Sequence, residues 1–216
     1  TLKDGRVFFD ECSASRKQIM EKLCVKDKND ILLSNTLFNC PVADCTEGAC
    51  INRVYDWGFE QKLTMPLSTG RVNAEPAEGK WGITKGASIA KPKGEKDNVL
   101  VTKVNAKNKK DIPADGAAGV QIIPAEQGKE YKISVSAKVG VKANEIVYIT
   151  PLNQNKDMLS LTSERAISGF KVGKWETKST DLVAPTGTAY LKVRLVKSRN
   201  TNGIVYWDDV KVEVVK

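Results

Sequence analysis

From residue 51 onward, apolar and polar positions alternate with a period of two, the signature of strands with one buried face. Such runs cover Asn98–Val104, Gly119–Ile123, Tyr131–Val139, Glu145–Ile149, Trp175–Val183, Ala189–Val196 and Ile204–Val215. Turn-forming residues separate them, among them Gly116, Gln127-Gly128, Pro151, Gly173, Pro185-Thr-Gly187 and Asn202-Gly203. With no helical pattern between the runs, a parallel sheet is excluded, and an all-β antiparallel sandwich or jelly roll is expected. Asp56-Trp57-Gly58-Phe59-Glu60 and Tyr206-Trp207-Asp208-Asp209-Val210 read as its first and last strands, brought side by side.

Residues 1 to 50 follow a different pattern, so the chain divides into an extension (1–50) and a sandwich (51–216). Ser15-Arg-Lys-Gln18 has the form of a capping box, and Ile19, Met20 and Leu23 then fall on one helical face. This predicts a short helix over about 16–24. After the polar stretch Lys26–Asp30, the apolar groups Ile31–Leu33 and Leu37-Phe38 predict a strand over about 31–38, a connector or a strand donated to a neighbour. The extension holds all five cysteines: Cys12, Cys24, Cys40, Cys45 and Cys50. Their spacing matches neither zinc nor iron–sulfur motifs, and with no histidine in the chain only an all-thiolate metal site is conceivable. Disulfides in an oxidising compartment are the better reading, and the odd count leaves one thiol over, either buried and inert or paired with another molecule, as in a link between subunits. The chain begins at Thr1, as expected of a secreted protein after removal of a signal peptide.

Charge changes this picture little. The formal net charge is +8, and the sandwich carries the surplus, with 27 Lys and Arg against 18 Asp and Glu from residue 52 on. The lysines alternate along strands, as in Lys129-Glu-Tyr-Lys132, which describes a solvated face more than a nucleic-acid surface. No nucleic-acid partner is expected, and no apolar run is long enough for membrane insertion.

Several segments resemble, in order, the β-jelly-roll carbohydrate-binding modules of families four, nine, sixteen and twenty-two, of the galactose-binding-like superfamily. They are Gly58-Phe59-Glu60, Gly79-Lys-Trp81, Gly128-Lys-Glu-Tyr131 with Lys132–Ala137, Gly173-Lys-Trp175, Ala184-Pro-Thr-Gly-Thr-Ala-Tyr190 and Tyr206-Trp-Asp-Asp-Val210. The resemblance covers residues 52 to 216 and implies a non-catalytic module. It also implies a structural calcium ion, held by Glu60 of the opening motif and Asp208 of the closing one, oxygen ligands suited to a hard cation. Trp81, Tyr131, Trp175, Tyr190 and Trp207 fall where the family places core or framework aromatics. Tyr55, Trp57, Tyr148, Phe170 and Tyr206 remain as candidate platforms for sugar rings. Of these, Trp57 and Tyr148 are the expected glycan contacts, with Asn153 and Gln154 as hydroxyl partners.

Catalysis has little to stand on. Without histidine a serine or cysteine nucleophile lacks its usual base, and Asp208 and Asp209, at consecutive strand positions, point to opposite faces. Two functions remain. The first is an extracellular structural subunit of a filament, coat or surface layer, self-associating through its extension. The alternative is a module that recognises a polysaccharide or a cell-surface glycan.

Overall fold

In the computed structural model the described residues are 54, 58–59, 64–67, 76, 80–141 and 143–215, together with the backbone of five strands in the first fifty residues. The chain separates into two compact units, Thr1–Arg53 and Val54–Lys216. In the first, β1 (Glu11–Cys12), β2 (Gln18–Lys26) and β3 (Ile31–Asn39) form a sheet in that order. A separate ladder joins β4 (Cys45–Thr46) and β5 (Ala49–Cys50). The helix expected over 16–24 is therefore corrected, because residues 18 to 24 lie in β2. A helix this short is marginal alone, whereas Gln18–Lys26 pairs along its whole length with Ile31–Asn39. The strand expected over 31–38 is present as β3. The side chains of all five cysteines lie outside the described residues, as does any link they make.

The second unit is the sandwich. Its strands are β6 (Thr64–Pro66), β7 (Trp81–Ile83), β8 (Ala87–Ala90), β9 (Val99–Val104), β10 (Ala117–Pro124), β11 (Glu130–Val139), β12 (Glu145–Leu152), β13 (Arg165–Ser168), β14 (Trp175–Val183), β15 (Tyr190–Lys197) and β16 (Gly203–Val214). One sheet has the order β13-β12-β15-β10-β7-β6 and the other β14-β11-β16-β9-β8. All neighbours are antiparallel except β6 and β7. The all-β antiparallel sandwich expected from the period-two pattern is the fold observed. Pro151, expected in a turn, instead lies near the end of β12, opposite Leu191. Proline is tolerated there because the strand ends one residue later.

The inward positions of both sheets meet in one core. Trp81, Trp207, Tyr131 and Phe59 are its largest fully buried side chains, joined by Leu100, Ile133, Ile149, Leu191 and Leu195. Each buried aliphatic side chain contributes about 1.5–3 kcal/mol relative to exposure. Polar atoms of the aromatics are satisfied: the Trp207 indole N–H donates to Thr102 Oγ1 at 2.9 Å, and Tyr131 Oη accepts from the Glu126 N–H at 2.8 Å. Phe59 packs against Trp81 at 5.2 Å, and Phe170 meets Trp207 edge-on at 6.1 Å. Phe170 is thus a core residue and no sugar platform.

A second, smaller apolar cluster forms on the outer face of the six-stranded sheet. It comprises Leu67, Ala118, Val120 and Val196, with Ile146 and Tyr148 packed against it. Gly82 permits this cover, since a Cβ there would stand 2.3 Å from Leu67 Cδ2. The outer face is therefore roofed over β7 and β10.

Lys197, at the end of β15, is completely buried. Its ammonium donates to the Ser198 and Thr201 carbonyl oxygens and to Thr201 Oγ1, pinning the turn before β16. Burial pushes its pKa from the ordinary 10.5 down to about 8, partly offset by the charge of Glu145. Above pH 8 the folded protein has released this proton while the unfolded chain holds it up to about pH 10.5. This group therefore adds stability as pH rises through that window. Relative to Lys197→Met, the wild-type protein is expected to gain stability between pH 8 and pH 10 in chemical denaturation. A difference that stays flat would contradict the assignment.

Candidate functional site

The outward positions of β12, β15 and β10 stand in rows across the six-stranded sheet. Leu152, Tyr190 and Pro124 make one row, Thr150, Lys192 and Ile122 the next, and Tyr148, Arg194 and Val120 the third. At the Tyr190 end the sheet opens into a cleft of about 700 Å³. Its floor is Ile122, Pro124 and Tyr190, and its walls include Pro76, Gln127, Gln154 and Lys156. Tyr190 is half-buried, an aromatic ring held by the framework yet reachable from the cleft.

Two loops position the polar walls. In the loop after β12, Asn153 Oδ1 accepts the N–H groups of Asn155 and Asp157, both at 2.9 Å. This closed turn presents Gln154 and Lys156 to the cleft. Across from it, Gln127 Oε1 accepts the Gly187 N–H at 2.8 Å, tying the loop before β11 to the loop before β15. An aromatic ring flanked by side-chain amides is the equipment for binding a sugar: the ring meets the apolar face, and the amides donate to and accept from hydroxyls. Glu126 and Lys156 both line the cleft, so neither sign of charge dominates it.

The expected site residues fare differently. Gln154 lines the cleft, whereas Asn153 is used in the turn that positions it. Tyr148 lies on the outer face but is no free platform, because the Arg194 guanidinium stacks on its ring at 4.6 Å. Arg194 is in turn paired with Glu164 at 2.7 Å, and Glu164 Oε1 also accepts from Thr150 Oγ1. Trp57, Tyr55 and Glu60 lie outside the described residues. Asp208 Oδ1 accepts the Asp209 N–H at 2.9 Å, and a Cβ on Gly58 would stand 3.8 Å from that oxygen. The closing motif's carboxylate thus lies beside the opening motif. No group of three or more Cys, Asp or Glu that could hold a metal occurs among the described residues.

Three assignments from sequence need correction. Tyr190, taken as a core aromatic, lines the cleft, and Trp175, taken likewise, is 36% exposed on the outer face of the five-stranded sheet. Periodicity assigns each of them to a face of its strand without saying which face is covered. The third concerns Asp208 and Asp209. Residues 134 and 136 of β11 pair with 211 and 208 of β16, so a bulge intervenes, and Asp209 has a left-handed φ of 47°. Simple strand alternation does not apply to the pair. Asp209 Oδ2 accepts from Ser136 Oγ at 3.4 Å, while Asp208 faces Gly58.

No protein-family model matches the chain, and no curated protein matches it. Solved structures do. A candidate sugar-binding protein from Bacteroides thetaiotaomicron superposes with a TM-score of 0.51 at 14% identity, over 76% of this chain and 100% of that one. The enzymatically active domain of tailspike protein 4 of bacteriophage CBA120 gives 0.50 at 14% identity, over 76% of this chain. The chain spans only 22% of that tailspike domain's length. A family 61 carbohydrate-binding module solved with β-1,4-galactotriose gives 0.45 at 14% identity, over 76% of this chain and 99% of that module. The sandwich shares its fold with the first two of these structures, and that fold is the β-sandwich expected from the sequence. No helix among the described residues is long and apolar enough to cross a membrane.

The Arg194–Glu164 pair is mostly buried, with side chains 15% and 16% exposed. Removing the carboxylate strands a guanidinium whose Nε already has no hydrogen-bond partner among the described residues. Glu164→Ala is therefore expected to cost about 3 kcal/mol in urea denaturation. Glu176→Ala, which removes ion pairs to the more exposed Lys171 and Lys178 and the acceptor of an exposed Lys171 N–H, serves as the comparison and should cost about 1 kcal/mol or less.

Proposed function

We propose that the sandwich is a non-catalytic, extracellular glycan-binding module that takes a neutral oligosaccharide segment into the Tyr190 cleft. One observation carries this reading: an accessible framework tyrosine stands in a cleft of about 700 Å³ beside Gln154 and Gln127. The likeness of the fold to a candidate sugar-binding protein over that protein's full length supports it. The assembly reading, placed first on the sequence, relied on the extension, whose cysteine side chains lie outside the described residues. Nothing described in the sandwich favours self-association, and the fold comparison favours the alternative.

A calcium ion held by Glu60 and Asp208 belongs to the same proposal, supported by the position of the Asp208 carboxylate beside Gly58. Such an ion would tie the opening segment to β16 by oxygen ligation. Chelation with EGTA is expected to lower the melting temperature, and Asp208→Asn to abolish that response. An unchanged melting temperature would remove calcium from the account.

Tyr190→Ala and Gln154→Ala test the cleft. Against xylohexaose, cellohexaose and β-1,4-galactotriose in isothermal titration, Tyr190→Ala should weaken the best ligand by about tenfold or more, the equivalent of 1.4 kcal/mol. Gln154→Ala, on an exposed loop, should weaken it less and leave the melting temperature unchanged. Wild-type affinity in the tyrosine variant would refute the cleft as the site.

A further inference from the structure

The outer face of the five-stranded sheet carries a second aromatic arrangement, on the opposite side of the core from the cleft. Trp175 of β14, Lys138 of β11 and Tyr206 of β16 are direct cross-strand partners, so their side chains stand side by side on one face. Their inward neighbours Ala137 and Trp207 are fully buried, which confirms that the row points outward. Two strand spacings separate the outer members, roughly 10 Å, so the two rings can lie under different sugar units.

Glu95, from the loop between β8 and β9, organises this row. Its Oε1 accepts from Lys138 Nζ at 2.8 Å and its Oε2 from the Trp175 indole N–H at 3.0 Å. The indole is thereby held in one orientation while 36% of the residue remains exposed. An exposed tryptophan held by a hydrogen bond loses little rotamer freedom when a ligand stacks on it. Lys138 and Glu95 neutralise each other, so the row presents donors and acceptors without net charge. The adjoining row adds the exposed hydroxyl of Thr177, held 2.8 Å from the hydroxyl of the buried Ser136. Two aromatic rings, a neutral polar pair and an exposed hydroxyl on one face fit a neutral oligosaccharide and suit an anionic or apolar partner poorly.

We infer that the Trp175–Lys138–Tyr206 row is a second binding site for a neutral oligosaccharide, independent of the Tyr190 cleft. Where both sites are filled, one module engages two polysaccharide strands on opposite faces, and avidity for a polymer exceeds affinity for an oligomer. This bivalency rests on the cleft reading; the second site does not.

The indole N–H signals of the 15N-labelled protein provide the test, since Trp81 and Trp207 are buried and Trp175 is not. The probes are xylohexaose, cellohexaose and β-1,4-galactotriose. With at least one of them the Trp175 signal should move, with the same midpoint in wild type and in Tyr190→Ala. Trp175→Ala should weaken binding at this face, read from the Lys138 and Tyr206 backbone amide signals, by at least tenfold while signals from the cleft still titrate. Glu95→Gln, which keeps the side chain's shape, should weaken it less. Movement of cleft signals with a static Trp175 would overturn the second site and leave the cleft intact. A Trp175 shift lost in Tyr190→Ala would overturn its independence. A Trp175 shift with a silent cleft would support this site and refute the cleft. No movement with any of the three sugars would overturn both.

Discussion

The sandwich depends on the seating of β16 at the centre of the five-stranded sheet, with Trp207 driven into the core. The strand pairs with β11 on one side and β9 on the other, and the Trp207 indole spans inward to the Thr102 hydroxyl of β9. Val205 and Trp207 are buried, and so are Val210 and Val212, although a strict period of two would put the second pair outside. The bulge at Asp208 and Asp209 restores the phase by inserting one residue. A strand that buried only one of the two pairs would lose several kcal/mol of apolar burial. The same bulge turns Asp208 toward Gly58 and Asp209 toward Ser136. One irregularity thus serves the core, the junction of the chain's opening and closing motifs, and the outer face.

The two outer faces follow from how the core is filled. The six-stranded sheet receives a roof from Leu67 over β7 and β10, made possible by Gly82, and the uncovered end becomes the cleft. The five-stranded sheet carries Glu95 as a brace on its outer face. Buried polar groups add rigidity to both. Lys197 closes the turn into β16, and the Arg194–Glu164–Thr150 group takes up Tyr148, a ring that would otherwise lie open on the sheet.

Much of the architecture was legible because alternation over five or more residues is a strong strand signal, and each long alternating run is a strand here. The bulge in β16 was also legible in principle. Apolar residues at 205, 207, 210 and 212 break the period of two, which is what an inserted residue looks like in a sequence. The short helix over 16–24 was misread because Ile19, Met20 and Leu23 fit a helical face as well as a strand, and only the pairing partner at Ile31–Asn39 decides between them. Of the residues that line the cleft, Gln154 stands out in the sequence by its place among polar residues after a strand, whereas Tyr190 sits in a strand and reads as framework.

The chain's own pattern determined which residues are extended and which alternate together, since that is a local property of period and turn chemistry. It could not determine which of two faces is covered. Trp207 and Trp175 both lie in strands of the same sheet, yet one is fully buried and the other is 36% exposed. The difference arises from the opposing sheet, which lies on one side only, and from loops such as those bearing Leu67 and Glu95 that cover parts of the other. Burial is a property of what packs against a side chain, and those partners come from distant parts of the chain, so only the tertiary structure decided which aromatics became core and which stand at the surface.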